Sequence, residues 1–403
     1  MTLIGSPSPL ASQDLIQPLS GLHPDLAILT AEDLAGRHPG EHPGNFGAQI
    51  MAQPSSTEAA AALVTWCAAH DVTVVPQGGL TGLVGGSISR PGEVILSTAR
   101  LNRILSIEPE EMTATVEAGV TLEALQQAAA AHGLTTGIDL GSRGTATVGG
   151  IVSTNAGGIL AFRNGVMRHQ VLGLEAVLPS GAVLCDLTRV VKVSAGPDLK
   201  QLFIGGEGAF GFVTRVVLKL EPQRPHRATA LVGVADARTA LALVRHFRSQ
   251  PTVTLEAAEM MWPRYIRDHA ALKGLDLSWL EADAAALLIE VSGESVEAGL
   301  ESRLKAIDPT YAAYVYGHIA DGNLHLTLIK KGPLPDAELQ AVEEAVYTGI
   351  HEAGGSFSAE HGVGLEKRHG YESFVSPEKQ ALGRALKQAL DPKGLFNPGK
   401  VPF

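Results

Sequence analysis

His318 and His325 flank the dipeptide Asp321-Gly322 in the run Gly317-His318-Ile319-Ala320-Asp321-Gly322-Asn323-Leu324-His325. Asp-Gly between apolar residues is a strong two-residue hairpin signal, because a type I′ turn needs φ > 0 at both central positions. With that turn, the two histidines form one cross-strand pair on one face, with Cβ atoms roughly 4.5–5.5 Å apart. Tyr316 and Thr327 fall beside them. Two imidazoles so placed suit a divalent metal, which takes nitrogen ligands at about 2.0–2.1 Å. The same pair could equally be polar decoration on an exposed hairpin. A third ligand is needed to choose.

Two glycine-rich segments offer a different chemistry. Pro76-Gln77-Gly78-Gly79-Leu80-Thr81-Gly82-Leu83-Val84-Gly85-Gly86-Ser87 follows a short apolar strand. Successive glycines can turn backbone N–H groups inward as a nest that binds a pyrophosphate without a lysine. No Gly-Lys-Ser/Thr follows, so this is not a P-loop. The second segment runs from Asp139 to Gly158 and holds Gly149-Gly150, Asn155 and Gly157-Gly158. Its small residues would let a flat ring lie against the backbone, with hydroxyls and Asn155 as polar contacts. A formal GxGxxG occurs at Gly206–Gly211, but a strand follows it where a dinucleotide fold needs a helix. It is read as a decoy for NAD.

These residues need elements to hold them. Ser55-Ser56-Thr57-Glu58 has capping-box spacing ahead of a helix over 59–70. Strands are expected at 72–76, 94–97 and, as one alternating run, 107–117. A helix is expected over 121–132 and a hairpin at 171–178 and 182–187 around Pro179-Ser180-Gly181. A strong strand covers 210–220. Pro222 to Arg227, with two prolines, is the best domain boundary. Beyond it, 231–234, a helix over 237–249 and 284–291 suggest an antiparallel sheet with helices on one side, and 335 onward reads as helical. No internal repeat is evident.

The 403 residues suffice for two or three domains, and 45% hydrophobic with 18% charged residues is globular. The net charge of −11 argues against a general nucleic-acid or anionic-membrane surface. The 45 glycines exceed the ordinary share of about 7% and are clustered. Two distant cysteines make no disulfide framework and suit a reducing compartment. No leader or run of 18 apolar residues is evident, so a cytoplasmic location is expected, or the mitochondrial matrix in a eukaryote.

The stretches PQGGLTGLVGGS, ILSTARLNRIL, DLGSRGTATVGGIVSTNAGG, VLGLEAVLPSG, DLKQLFIGGEGAFGFVT, GHIADGNLHL, SAEHGVGLEKR and DPKGLFNPGK recur in order in one family. The chain resembles the FAD-linked D-2-hydroxyacid dehydrogenases of vanillyl-alcohol oxidase type. It is most similar to the branch with D-2-hydroxyglutarate dehydrogenase, D-lactate dehydrogenase and the glycolate oxidase flavin subunit. The resemblance implies an α+β fold: a two-part FAD-binding domain over 1–222, split near 105, a shortened cap of antiparallel sheet and helices over 223–334, and a C-terminal helical segment over 335–403. It implies FAD pyrophosphate on Pro76, Gln77, Gly78, Gly79, Leu80 and Thr81. The flavin would contact Gly82, Leu83, Gly144, Thr145, Thr147, Gly150, Asn155 and Gly157. Glu207, Gly211 and Phe212 would complete the adenine side, and Asn397 would return from the C-terminus.

The resemblance also implies that His318, His325 and Glu360 bind a divalent metal, zinc in related proteins, with His361 as proton acceptor. Glu360 would thus be the missing third ligand. Thr327 and His361 would face the substrate. The implied reaction is oxidation of a D-2-hydroxy acid to the 2-oxo acid. Electrons would pass to an acceptor that the sequence leaves open among electron-transfer flavoprotein, quinone and cytochrome. A homodimer is allowed and a nucleic-acid partner is not expected. Leu80 and Thr327 stand where the closest branch has Asn, and Ala209 where Thr is usual. The family's Trp-x-x-Arg-like helix and Lys-containing cap strand, whose cations clamp the substrate carboxylates, have no counterpart between 284 and 311. The alternative is therefore a flavin-binding electron-transfer or non-catalytic subunit on the same scaffold.

Overall fold

The computed structural model describes residues 12–224, 226–250, 253–274, 276–280, 284–293, 356–358 and 361–403. The His318–His325 hairpin, Thr327 and Glu360 lie outside the described residues.

The first sheet is built from β1 (Leu26–Leu29), β2 (Met51–Pro54), β3 (Val74–Gln77) and β4 (Val94–Ser97), in the order β1-β2-β4-β3. β1 runs antiparallel to β2, while β2 and β3 run parallel to β4. The run Val94-Ile95-Leu96-Ser97 is buried throughout, as a central parallel strand should be. A parallel connection needs a dozen or more residues and is usually a helix. Between β3 and β4 it is instead the glycine segment, so topology itself puts that loop at the strand ends. Helices α1 (Ser12–Ser20), α2 (Ala31–Leu34) and α3 (Thr57–Ala69) flank this sheet. The cap of α3 falls one residue later than the capping-box spacing implies. Ser56 accepts the Ala59 N–H at 3.2 Å, while Ser55 is held to the Asp25 carbonyl by its own N–H at 2.9 Å.

The second sheet holds β5 (Ile104–Glu108), β6 (Thr113–Glu117), β7 (Leu134–Thr136), β8 (Val171–Val177), β9 (Val183–Asp186) and β10 (Phe212–Pro222). Its order is β5-β6-β10-β8-β9, with β7 also pairing β10. The run expected as a single strand over 107–117 is the end of β5, a turn and all of β6. Met112 donates its N–H back to Pro109 at 3.2 Å with φ +52°, and the chain reverses there. Helix α4 (Leu122–Ala130) is capped by Thr121. Helix α5 (Val148–Ser153) lies inside the segment expected to be loop. Its glycines allow it: a Cβ on Gly149 would lie 2.6 Å from the Ala118 side chain. Buried Glu175 on β8 accepts from Thr57 at 2.6 Å and Thr214 at 2.8 Å, which joins α3 to this sheet.

After the short helix α6 (Ala161–Asn164) has crossed toward it, a third sheet follows the end of β10. It comprises β11 (Arg227–Val234), β12 (Val253–Met261) and β13 (Ala285–Gly293), antiparallel in the order β11-β13-β12. Strand β12 was not expected from sequence. Helices α7 (Ala237–Arg248) and α8 (Pro263–Lys273) cover one face, around Val232, Leu243, Phe247, Leu287 and Ile289. The other face carries Arg227, Glu259 and Glu290 toward the first two sheets. Arg163 of α6 pairs with buried Glu256 at the β12 bulge, fixing the sheet to the second layer. Helices α9 (Arg368–Phe374) and α10 (Pro377–Leu390) then lead the chain back to the first sheet. There Val74 donates to Leu395 O at 2.8 Å and Asn397 donates to Val74 O at 3.1 Å, so the returning chain lies along β3.

Candidate cofactor site

A cavity of about 830 Å³ opens where the glycine segment, α5, the start of β10 and the polar face of the third sheet converge. Its size falls in the range of cofactor and small-molecule pockets, about 300–1,000 Å³. Of the sequence-derived residues, Pro76 through Leu83, Thr147, Gly150, Glu207, Gly211, Phe212 and His361 lie on its wall.

The loop's shape follows from its ends. Buried Gln77 donates Nε2 to Asn45 O at 2.7 Å and to Ser87 O at 2.8 Å, which closes the loop on itself. Fully buried Asn45 is the hub, holding Ser87 and Ser89 as well. Within the loop, Gly79 has no room for a side chain, since a Cβ would sit 1.8 Å from the Thr145 carbonyl oxygen. No backbone N–H from Gly78 to Leu83 donates to a partner among the described residues. Gln77 Oε1, Thr98 Oγ1 and Thr147 Oγ1, all from wall residues, are buried and without a hydrogen-bond partner. Buried polar groups are ordinarily satisfied. A row of unspent donors beside orphaned side-chain oxygens is what a large polar ligand would complete. The donor set fits a pyrophosphate-bearing cofactor.

Gly144 and Thr145 are exposed and stand behind the loop, off the wall. Asn155, at φ +53°, uses its side-chain oxygen to accept the Arg168 N–H at 2.9 Å. Gly157 is closed in by Ala161 and Val166. Asn397 is buried and donates Nδ2 to the Glu207 carbonyl at 2.7 Å. The structure thus gives Asn155 and Asn397 shaping contacts one layer behind the wall. Leu80 takes φ +58°, a conformation Asn tolerates far better than Leu.

The wall includes residues sequence reasoning did not single out. Arg143 pairs with Asp139 at 3.0 Å, and Arg227 with Glu290 at 2.7 Å. Glu259 lies on the same sheet face. The alternation of β11 and β13 marks that face, but only the third sheet's orientation reveals that it looks into a cavity. Burial pushes the Glu207 carboxyl up, opposed by the N–H groups of Val363 and Gly364 and by Lys367. Among the described residues no cluster of three metal-ligating side chains occurs.

Comparison with known proteins agrees with this geometry. A family described as FAD binding domain matches residues 48–185, and one described as FAD linked oxidases, C-terminal domain, matches 223–309 and 300–401. The D-2-hydroxyglutarate dehydrogenase of Xanthomonas citri pv. viticola is 32% identical, over 87% of this chain and 88% of its own. The mitochondrial D-2-hydroxyglutarate dehydrogenase of Bos taurus is 33% identical, over 88% and 76%. Among solved structures, p-cresol methylhydroxylase superposes with a TM-score of 0.67 at 14% identity, covering 96% of each chain. Alkyldihydroxyacetonephosphate synthase gives 0.63 at 16% identity, covering 98% and 87%. These structures share the fold. No helix among the described residues is long and apolar enough to cross a membrane. The chain is an oxidoreductase of the FAD-linked D-2-hydroxyacid dehydrogenase family, with the vanillyl-alcohol oxidase type of fold.

Proposed function

We propose that the chain oxidises a D-2-hydroxy acid, of the 2-hydroxyglutarate, lactate or glycolate class, to the 2-oxo acid. The observation that carries this is the shared wall. The unspent N–H groups of Gly78 to Leu83 and the imidazole-bearing residue His361 border one cavity. Gln77 to Thr81 would hold the cofactor pyrophosphate, with Thr147 and Gly150 against its ring and Gly211 and Phe212 at its far end. Bound FAD supplies the two-electron acceptor for the hydride leaving the substrate C2. His361 accepts the hydroxyl proton, a role suited to an imidazole because its ordinary pKa lies near working pH. The resemblance adds a divalent metal at His318, His325 and Glu360, which would supply Lewis acidity toward the substrate hydroxyl. Thr327 would lie beside the substrate.

The test starts from the visible spectrum. Purified protein should show flavin bands, and anaerobic D-2-hydroxyglutarate, D-lactate or glycolate should bleach them. His361→Ala should slow that bleaching by about 10²–10⁴-fold, the usual contribution of a positioned base. Bleaching of the variant at the wild-type rate would remove His361 from the reaction. A second reading, a flavin-binding subunit without turnover, draws on Arg143 and Arg227, the wall's arginines among the described residues, each already paired with a carboxylate. Flavin that none of the three acids bleaches would favour it.

A further inference from the structure

We propose that Glu207 is a positioning residue that ties the His361 segment to the cavity floor, and that its carboxylate is not a cofactor contact. Each carboxylate oxygen accepts one N–H of that segment. Oε1 accepts the Val363 N–H at 2.6 Å and Oε2 accepts the Gly364 N–H at 2.8 Å. Charge-assisted bonds of this kind are about twice as strong as neutral ones. The carboxylate is itself held from behind. Glu207 sits at φ +48°, donates its N–H to Ser153 O at 2.8 Å, and accepts Asn397 Nδ2 on its carbonyl.

The segment is shaped to receive it. Gly362, at φ +79°, passes so close that a Cβ would lie 2.6 Å from Glu207 Oε1. Leu365 donates its N–H to Val84 O at 2.8 Å, which adds a tie to the glycine loop, and a Cβ on Gly364 would lie 2.2 Å from that same oxygen. Ser358 Oγ donates to the Gly362 carbonyl, and Lys367 Nζ donates to Ser358 Oγ at 3.2 Å. His361 therefore stands two residues before Val363, Gly364 and Leu365, which are tied to Glu207 or to the glycine loop. A carboxylate free to face an anionic pyrophosphate would be repelled by it; the two N–H groups that Glu207 accepts offset part of that repulsion.

The consequence for catalysis rests on the role proposed for His361, and the test separates the two. In the holoprotein, Glu207→Gln places an amide NH2 against one backbone N–H. Hydrogen exchange at Val363 and Gly364 should quicken by at least about tenfold while FAD content and the melting temperature stay near wild type. Flavin reduction per bound FAD at saturating D-2-hydroxy acid should slow by about 10–100-fold, as displacement of a catalytic group by about 1 Å does. Added to His361→Ala, the substitution should change little more. Gly362→Ala attacks the same contact from the other side and should reproduce the exchange effect. Unchanged exchange in both variants, or FAD loss with an unchanged rate per bound flavin, would overturn the proposal. Wild-type reduction in His361→Ala would sink the reading of His361, and exchange alone would then decide the tie.

Discussion

Gly79 shows how little freedom one residue has in this site. Its missing side chain lets the loop pass the Thr145 carbonyl, which a Cβ would approach to 1.8 Å. Gly79→Ala must push the loop into the cavity or away from the second sheet. The variant should purify folded but depleted of FAD, read as the ratio of flavin to protein absorbance; stoichiometric flavin would show that the loop yields freely. This part of the site was legible in the sequence, because close backbone approach leaves glycines at fixed spacing within one loop. Glu207 was legible only as part of a motif. Its partners Val363 and Gly364 are 156 and 157 residues away, and nothing local says where its carboxylate points. Leu80 shows the same limit, since its positive φ is set by the turn and not by its own preference.

At the scale of elements, the strands with strong apolar runs and the helices with caps could be read along the chain. Strand β12 could not. Glu256 and Glu259 interrupt its apolar pattern; Glu256 owes its place to Arg163 and Arg224 outside the strand, and Glu259 lies on the cavity wall. The returning C-terminal segment was readable as a motif but not as a partner of β3. It is locked by Lys400, 1% exposed, which pairs with Glu93 at 3.1 Å ahead of β4. Burial pushes the Lys400 ammonium down and Glu93 pulls it back. Lys400→Ala would leave Glu93 buried without its cation, a loss of about 3–5 kcal/mol. Urea unfolding followed at the first sheet should show it, and Lys400→Met with Glu93→Gln should recover much of it. A single variant within about 0.5 kcal/mol of wild type would mean that the pair is dispensable.

Among the described residues of the whole molecule, four apolar clusters share the work, and the one between α3 and the first sheet contains Cys67, fully buried with its thiol pushed up to about 12. The sign of its pH effect follows. Above about pH 9 the unfolded chain loses the thiol proton while the folded chain keeps it, so the folded state is bound to more protons and stability falls as pH rises. Relative to Cys67→Ala, the wild type should lose up to about 1.4 kcal/mol per pH unit between pH 9 and 12. Parallel stability profiles for the two proteins would contradict the buried thiol. The three-sheet plan was foreseen in outline through the family motifs; the way the layers interlock through Glu175 and Glu256 was not, because each joint is a polar contact between distant segments.

One of those long connections governs how the molecule can be assembled. Lys393 reaches the Ala68 carbonyl across 325 residues, and beside it Leu395 and Asn397 dress the outer edge of β3. On a ribosome, β3 and its glycine loop emerge long before the segment that finishes them. The first sheet must wait with that edge bare while two further layers are made. Nascent chains are exposed there to strand-on-strand misassociation until that segment arrives to pair with β3.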